Sequence, residues 1–321
     1  MLDVFFTVDV EIWCDGWEEI DAKFPSAYRR YVYGPTSRGD YALPATMQIL
    51  NDHGLRGVFF VEPLFSTRFG KGPLEELIGL IQGAGQEVQL HLHTEWADVA
   101  REPLLPGLSN KRQHLRQFSR AEQATLIAEG LRLVRAAGAE PINAFRAGNW
   151  GLNHDTLGAL AANAIAFDSS YNAASRVGVA NVATGQLLTQ PLQIETVTEY
   201  PVTVYRDRGA TSLRPLQLTA CSFLEMQRVL DGAAESGWGS VVMVSHNFEL
   251  MNQRKDRPDP IVVQRFRKLC RHLERHSDRF RVRGFRGLTP PPAAAQPPPL
   301  RSPAWLSYAR YVEQVVRRAY G

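Results

Sequence analysis

Apolar and β-branched runs bounded by turn residues recur along the chain at 2–8, 57–61, 87–93, 144–146, 165–168, 192–198, 240–245 and 280–284. Their length and composition predict eight strands. Between several of them the apolar positions follow the helical period, with recognisable start signals. Segments 44–51 and 73–82 open on proline, which suits a first helical turn because its missing N–H has no intrahelical partner there. Ser119-Arg-Ala-Glu122 and Ser222-Phe-Leu-Glu225 read as capping boxes. Asn153 can cap a helix running to about 163, and 260–276 makes another long helix. Strands alternating with such helices imply βαβ units and a mainly parallel sheet. Seven or eight repeats from the first residue favour a closed or nearly closed barrel over an open sheet. In barrels of this kind, active-site groups gather at the C-terminal ends of strands.

The end of the chain differs. Residues 289–303 hold seven prolines and an alanine run, which reads as a polyproline-II linker. Residues 302–320 follow as an amphipathic helix with Trp305, Tyr308, Tyr311, Val312 and Val315 near one face. The expected division is a body over 1–288, a linker over 289–303 and a terminal helix over 304–321. No repeat of 20–50 residues is present.

Polar residues do fall at the predicted strand ends. Thr7-Val-Asp9-Val-Glu11 places Asp9 and Glu11 on one face, a spacing that suits a base and a metal ligand. Gln89-Leu-His91-Leu-His93-Thr-Glu95-Trp96 points two imidazoles the same way from one strand, followed by a carboxylate. Nitrogen and carboxylate ligands suit Zn²⁺ and also allow Co, Mn or Fe. Arg146 ends the 144–146 strand ahead of a glycine-rich turn, either to orient a carboxylate or as a structural ion pair. His246 ends a fully apolar strand and is a candidate acid or oxyanion stabiliser. Trp13, Trp96 and Trp150 lie within a few residues of these ends and could stack on sugar rings or simply pack.

Composition narrows the classes. The 321 residues are 44% hydrophobic and 21% charged, which excludes a disordered or fibrous chain. No run approaches the roughly 20 apolar residues that span a bilayer. Cys14, Cys221 and Cys270 are isolated, so neither a disulfide framework nor a cysteine zinc site is expected. The opening MLDVFFTVDVE reads as a first strand and not a signal peptide, and a cytoplasmic protein is expected. The net charge of +3 conceals a split: residues 1–253 carry 20 basic and 28 acidic side chains, and residues 254–286 carry 12 and 4. Arg265, Lys268, Arg271, Arg275 and Arg279 form a basic helical stripe. With the terminal helix it suggests peripheral contact with an anionic inner-membrane face or a biosynthetic partner enzyme, and no nucleic-acid partner is expected.

With these motifs in order, the sequence resembles the polysaccharide deacetylase family (NodB-homology, carbohydrate esterase family 4) over about residues 3–286, in a subgroup with variant metal motifs. The resemblance implies an incomplete (β/α)7 barrel. It implies Asp9 as catalytic base, Glu11 and His91 as metal ligands, Arg146 as the arginine paired with the base, and His246 as general acid. The family's second metal histidine stands four residues after the first. Glu95 occupies that position here, and His93, aimed with His91 by strand alternation, is the preferred third ligand. Gly148 stands where a proline is common, and segments 165–170 and 199–202 are similar to two later family strands. The implied activity is metal-dependent removal of acetyl groups from N-acetylated amino sugars of a glycan or its precursor. Zn²⁺ is the expected metal, with Co²⁺, Mn²⁺ or Fe²⁺ as substitutes, and the setting exopolysaccharide or cell-wall glycan synthesis. The alternatives are hydrolysis of another non-peptide C–N bond, or a non-catalytic glycan-binding protein of a polysaccharide assembly system.

Overall fold

A computed structural model describes residues 1–108, 110–175, 185–207, 212–252, 254, 256–292 and 294–320, without the side chains of 318–320. Ala293 of the expected linker and Gly321 of the expected terminal helix lie outside the described residues. The chain forms two compact units, one of residues 1–57, 205–283 and 299–321, the other of 58–204 and 284–298.

The first unit is built on the strand Leu2–Val10, with Ser240–His246 and Phe280–Val282 as parallel partners. The first two are almost continuously apolar and buried, as strands covered on both faces must be. Their register sets Phe6 beside Met243 and Asp9 beside His246, so the strands end level. The helices Phe223–Glu235 and Pro260–Arg275 belong to this unit, and Phe266 stacks on Phe6 with ring centroids 4.9 Å apart. Ser222 and Glu225 close the expected capping box. Asp259 caps the second helix by accepting from the N–H groups of Ile261 and Val262. A helix at Ile20–Tyr28, continuing through a π turn at Arg29–Tyr33, was not expected. Pro25 lies inside it, and an interior proline argues against helix in a sequence reading.

The second unit carries parallel strands in the order Val58–Val61, Glu87–Leu92, Ala144–Ala147, Phe167–Asp168 and Val197–Glu199. The single strand expected at 192–198 is a hairpin: Leu192–Ile194 runs antiparallel to Val197–Glu199. Glu195, in the left-handed region at φ 55°, turns the chain between them. The helices Arg120–Ala136 and His154–Ala162 begin at the expected caps, Ser119 and Asn153. Phe60, Phe167 and Tyr200 surround Phe285 in the core. At Gly284 a Cβ would fall 1.9 Å from Oε2 of Glu87, a buried carboxylate that accepts the N–H of Phe285. Glycine is therefore required there.

Residues 289–292 and 294–303 belong to no helix and no strand longer than a single bridge, yet hydrogen bonds hold them in place. Oε1 of Gln296 accepts from the N–H groups of Thr189 and Gln190 at 2.7 and 2.9 Å, and Arg206 N donates to Leu300 O at 2.7 Å. The terminal helix spans Ala304–Tyr320. The basic stripe divides. Spacings of three residues rotate about 60° per step on a 3.6-residue turn. Arg265 thereby turns inward, donating to Leu218 O and pairing with Glu313, while Lys268, Arg271 and Arg275 stay exposed. Arg279, beyond the helix, pairs with Asp231. Among the described residues, no helix is long and apolar enough to cross a membrane.

Candidate active site

In the first unit, the level strand ends bring Asp9, Glu11 and His246 together, with ligand atoms within 4.8 Å of one another. Asp9 and Glu11 are both buried. Glu11 leaves the strand and is held by Asn247, whose Oδ1 accepts from Glu11 N at 3.1 Å and whose Nδ2 donates to Glu11 O at 3.0 Å. A second Asn247 Nδ2 hydrogen bond goes to Tyr31 O at 2.7 Å, so the amide joins three segments. Trp13 Nε1 donates to Oε2 of Glu11 at 2.8 Å, and its half-buried ring meets Trp17 edge to face.

His246 keeps 21% of its side chain exposed, and its Nδ1 lies 2.8 Å from Oε1 of Glu249. Opposite a carboxylate, Nδ1 carries the proton and the ring turns Nε2 outward. Burial pushes the imidazole pKa down. The hydrogen bond to Glu249 and the charges of Glu11, Glu249 and Asp9 outweigh it and raise the value to about 9. The raised value favours the protonated ring. Glu249 is itself placed by Gln217 Nε2 at 2.6 Å.

In the second unit, the register sets His91 beside Arg146. His91 Nδ1 donates to Arg146 O at 2.8 Å, which leaves the lone pair on Nε2. His93 Nδ1 faces Oε2 of Glu95 at 3.3 Å, and the other oxygen of Glu95 accepts from Asn149 Nδ2 at 2.8 Å. Glu95 is therefore engaged in orienting His93. The two imidazole centroids are 4.8 Å apart. Two buried imidazoles, each with Nδ1 tied to a carbonyl or carboxylate, present the arrangement of metal-ligating histidines.

Arg146 is fully buried. Its Nε and Nη2 donate to Ser169 O and Oγ, both at 2.9 Å, and its guanidinium lies between Phe60 at 4.4 Å and Trp150 at 5.6 Å. Behind it stand Asp168 and Glu199, neighbours in the register and both fully buried. Burial raises both carboxyls, and Asp168 pushes Glu199 higher still. Asp168 Oδ2 and Glu199 Oε2 have no other hydrogen-bond partner, a lack that one proton shared between the carboxyls fills. Glu62 is raised to about 8 by burial, against the opposing N–H of Leu64.

The expected stacking residues part company. Trp150 is half-buried, and both it and Asn149 hold left-handed backbone near φ 55°, a strained pair at the mouth. Trp96 is corrected: it is 1% exposed and packs edge-on against Phe65 and Phe69, so it offers no face to a sugar. Glu249 and Asn247 carry no expected role, although Asn247 directly follows the histidine.

The sequence matches no family model and no curated protein. Solved structures do resemble it. A Mycobacterium smegmatis protein assigned as a polysaccharide deacetylase is 19% identical, with 92% of this chain and 94% of that one covered at a TM-score of 0.56. A family 4 carbohydrate esterase from Streptomyces lividans, in complex with acetate, is 12% identical over 87% and 90% at 0.41. A pseudoenzyme of the same family from Bacillus anthracis is 11% identical over 86% and 62% at 0.41. The first likeness establishes the fold, the incomplete (β/α) barrel of the NodB type, and bears out the resemblance at that level.

Proposed function

We propose that the chain is a metal-dependent hydrolase that removes acetyl groups from N-acetylated amino sugars of a glycan or glycan precursor. The observation that carries this reading is the pairing of a buried carboxylate, Asp9, with a histidine, His246, whose Nδ1 is held by Glu249, at the level ends of two neighbouring strands. Hydrolysis of an amide needs both a base for the attacking water and an acid for the leaving nitrogen.

Asp9 takes the proton from water as its oxygen bonds to the acetyl carbon. The C–N bond then breaks, and His246 Nε2 gives its proton to the departing amine while Glu249 holds Nδ1. The order of the motifs assigns Glu11, His91 and His93 as ligands and Arg146 as the arginine paired with the base, Asp9. The Nδ1 bonds of both histidines support the assignment, because they leave Nε2 as the donor atom. What a divalent metal such as Zn²⁺ supplies there is polarisation of the acetyl carbonyl and a lowered pKa of water. Trp13 and Trp150 are the aromatic faces proposed to meet the sugar.

The experiment is acetate release from chitin oligosaccharides and peptidoglycan fragments by wild-type and Asp9→Asn protein. Asp9→Asn should keep its metal and lose about 10²–10⁴-fold in rate, the range of a general base. Undiminished release by that variant would remove Asp9 from the role.

A further inference from the structure

The terminal helix Ala304–Tyr320 is docked by its polar side. Ser307 Oγ donates to Asp207, Arg310 donates to Asp207 at 2.7 Å and to Glu225 at 3.0 Å, Arg265 reaches Glu313, and Arg317 pairs with Asp259. Arg310 is buried within this network, and Leu306 adds an apolar contact. The outward arc, about 140° wide at 100° per residue, carries Trp305, Tyr308, Tyr311, Val312, Val315 and Val316. These side chains are 36–67% exposed. They make up six of the eight exposed large hydrophobics among the described residues. A surface helix ordinarily does the reverse, burying its apolar stripe and showing its charges. An apolar patch held outward by buried ion pairs marks an interaction site.

What lies beside the arc identifies the partner. Ala309 and Glu313, on one flank of the helix, line a cleft of about 550 Å³ together with Leu224, Lys268, Arg271 and Arg275. The three cations are exposed, and Glu313 is neutralised by Arg265. Leu224, 46% exposed, carries the apolar surface across the cleft mouth. Tryptophan and tyrosine settle at headgroup depth, valines enter the acyl boundary, and flanking cations meet lipid phosphates. A second copy fits poorly, because a two-fold contact across this face would set Lys268, Arg271 and Arg275 toward their own counterparts. We propose that this face docks the protein on a bilayer surface rich in anionic phospholipid.

The test is co-sedimentation of the full chain with vesicles of phosphatidylcholine alone and of equimolar phosphatidylcholine and phosphatidylglycerol. Binding is expected on the anionic vesicles and should weaken as salt rises. The K268Q/R271Q/R275Q variant should partition about a hundredfold less, following three lost surface charges. Trp305→Ser should partition about tenfold less through lost apolar burial. All four side chains are exposed, so circular dichroism should match wild type. Equal binding to both vesicles, or unchanged binding by the triple variant, overturns the proposal. So does a concentration-dependent dimer without vesicle binding, which would make a second copy the occupant.

Discussion

Replacing Gly148 by Ala tests how tightly His93, proposed here as a metal ligand, is held. A Cβ at 148 would fall 2.7 Å from Leu92 O and 2.8 Å from both Cγ and Nδ1 of His93, whereas ordinary contact begins near 3.4 Å. About 0.6 Å must therefore be found. Leu92 cannot give easily, because it is laddered to Ala147 in the parallel sheet. The ring of His93 is the element that moves, and its 3.3 Å hydrogen bond to Glu95 is the first interaction lost. Overpacking of this kind costs about 1–3 kcal/mol of stability. Loss of the orienting partner of a ligating histidine lowers metal affinity about 10–100-fold. Urea denaturation reads the first effect, and calorimetric titration of Zn²⁺ into metal-free protein reads the second. Wild-type zinc affinity in Gly148→Ala would refute the reasoning, since it would mean that His93 does not ligate or is not positioned by this contact.

Three further outcomes follow from the same geometry. If His246 acts as its protonated form, activity should decline as pH rises through about 9. Glu249→Gln should shift that alkaline limb downward by roughly one unit, the equivalent of about 1.4 kcal/mol, and an unmoved limb contradicts the pairing. Arg310→Ala leaves Glu225 without its buried cation, whereas Asp207 keeps Arg214 at 2.7 Å, so the loss in urea denaturation should be about 3 kcal/mol; a loss under about 1 kcal/mol would show the network to be dispensable. Asp168 and Glu199 hold a proton in the folded state that the unfolded chain releases, because their folded pKa values are raised. Stability should accordingly fall as pH rises from the ordinary carboxyl range toward neutrality. Glu199→Gln should flatten that slope, and a slope identical to wild type argues against the shared proton.

The strand core was legible because continuous runs such as Val4–Phe6 and Val241–Val244 hold no polar residue, and the site's titratable groups come only after them. Asp9 and His246 stood out for that reason. Glu249 did not, since an acid three residues beyond a strand looks like any loop residue until the fold shows it buried against His246. Trp96 misled because nearness to a strand end does not say which way an indole points, and Phe65 and Phe69 claimed it for packing. The contact of Glu95 with His93 was not legible, because it also involves Asn149, whose left-handed backbone brings its amide to Glu95. The terminal helix was legible from its period. Which side docks was not, because Asp207, Glu225 and Asp259, which bind its polar face, lie some 50–100 residues earlier.

The central claim is tested most directly by acetate release from N-acetylglucosamine oligosaccharides, measured before chelation, after removal of metal and after restoring Zn²⁺. The account predicts release that disappears on chelation and returns with the metal in wild type, and that returns in neither Asp9→Asn nor His91→Ala. Acetate release that survives chelation, or that His91→Ala retains in full, would contradict it.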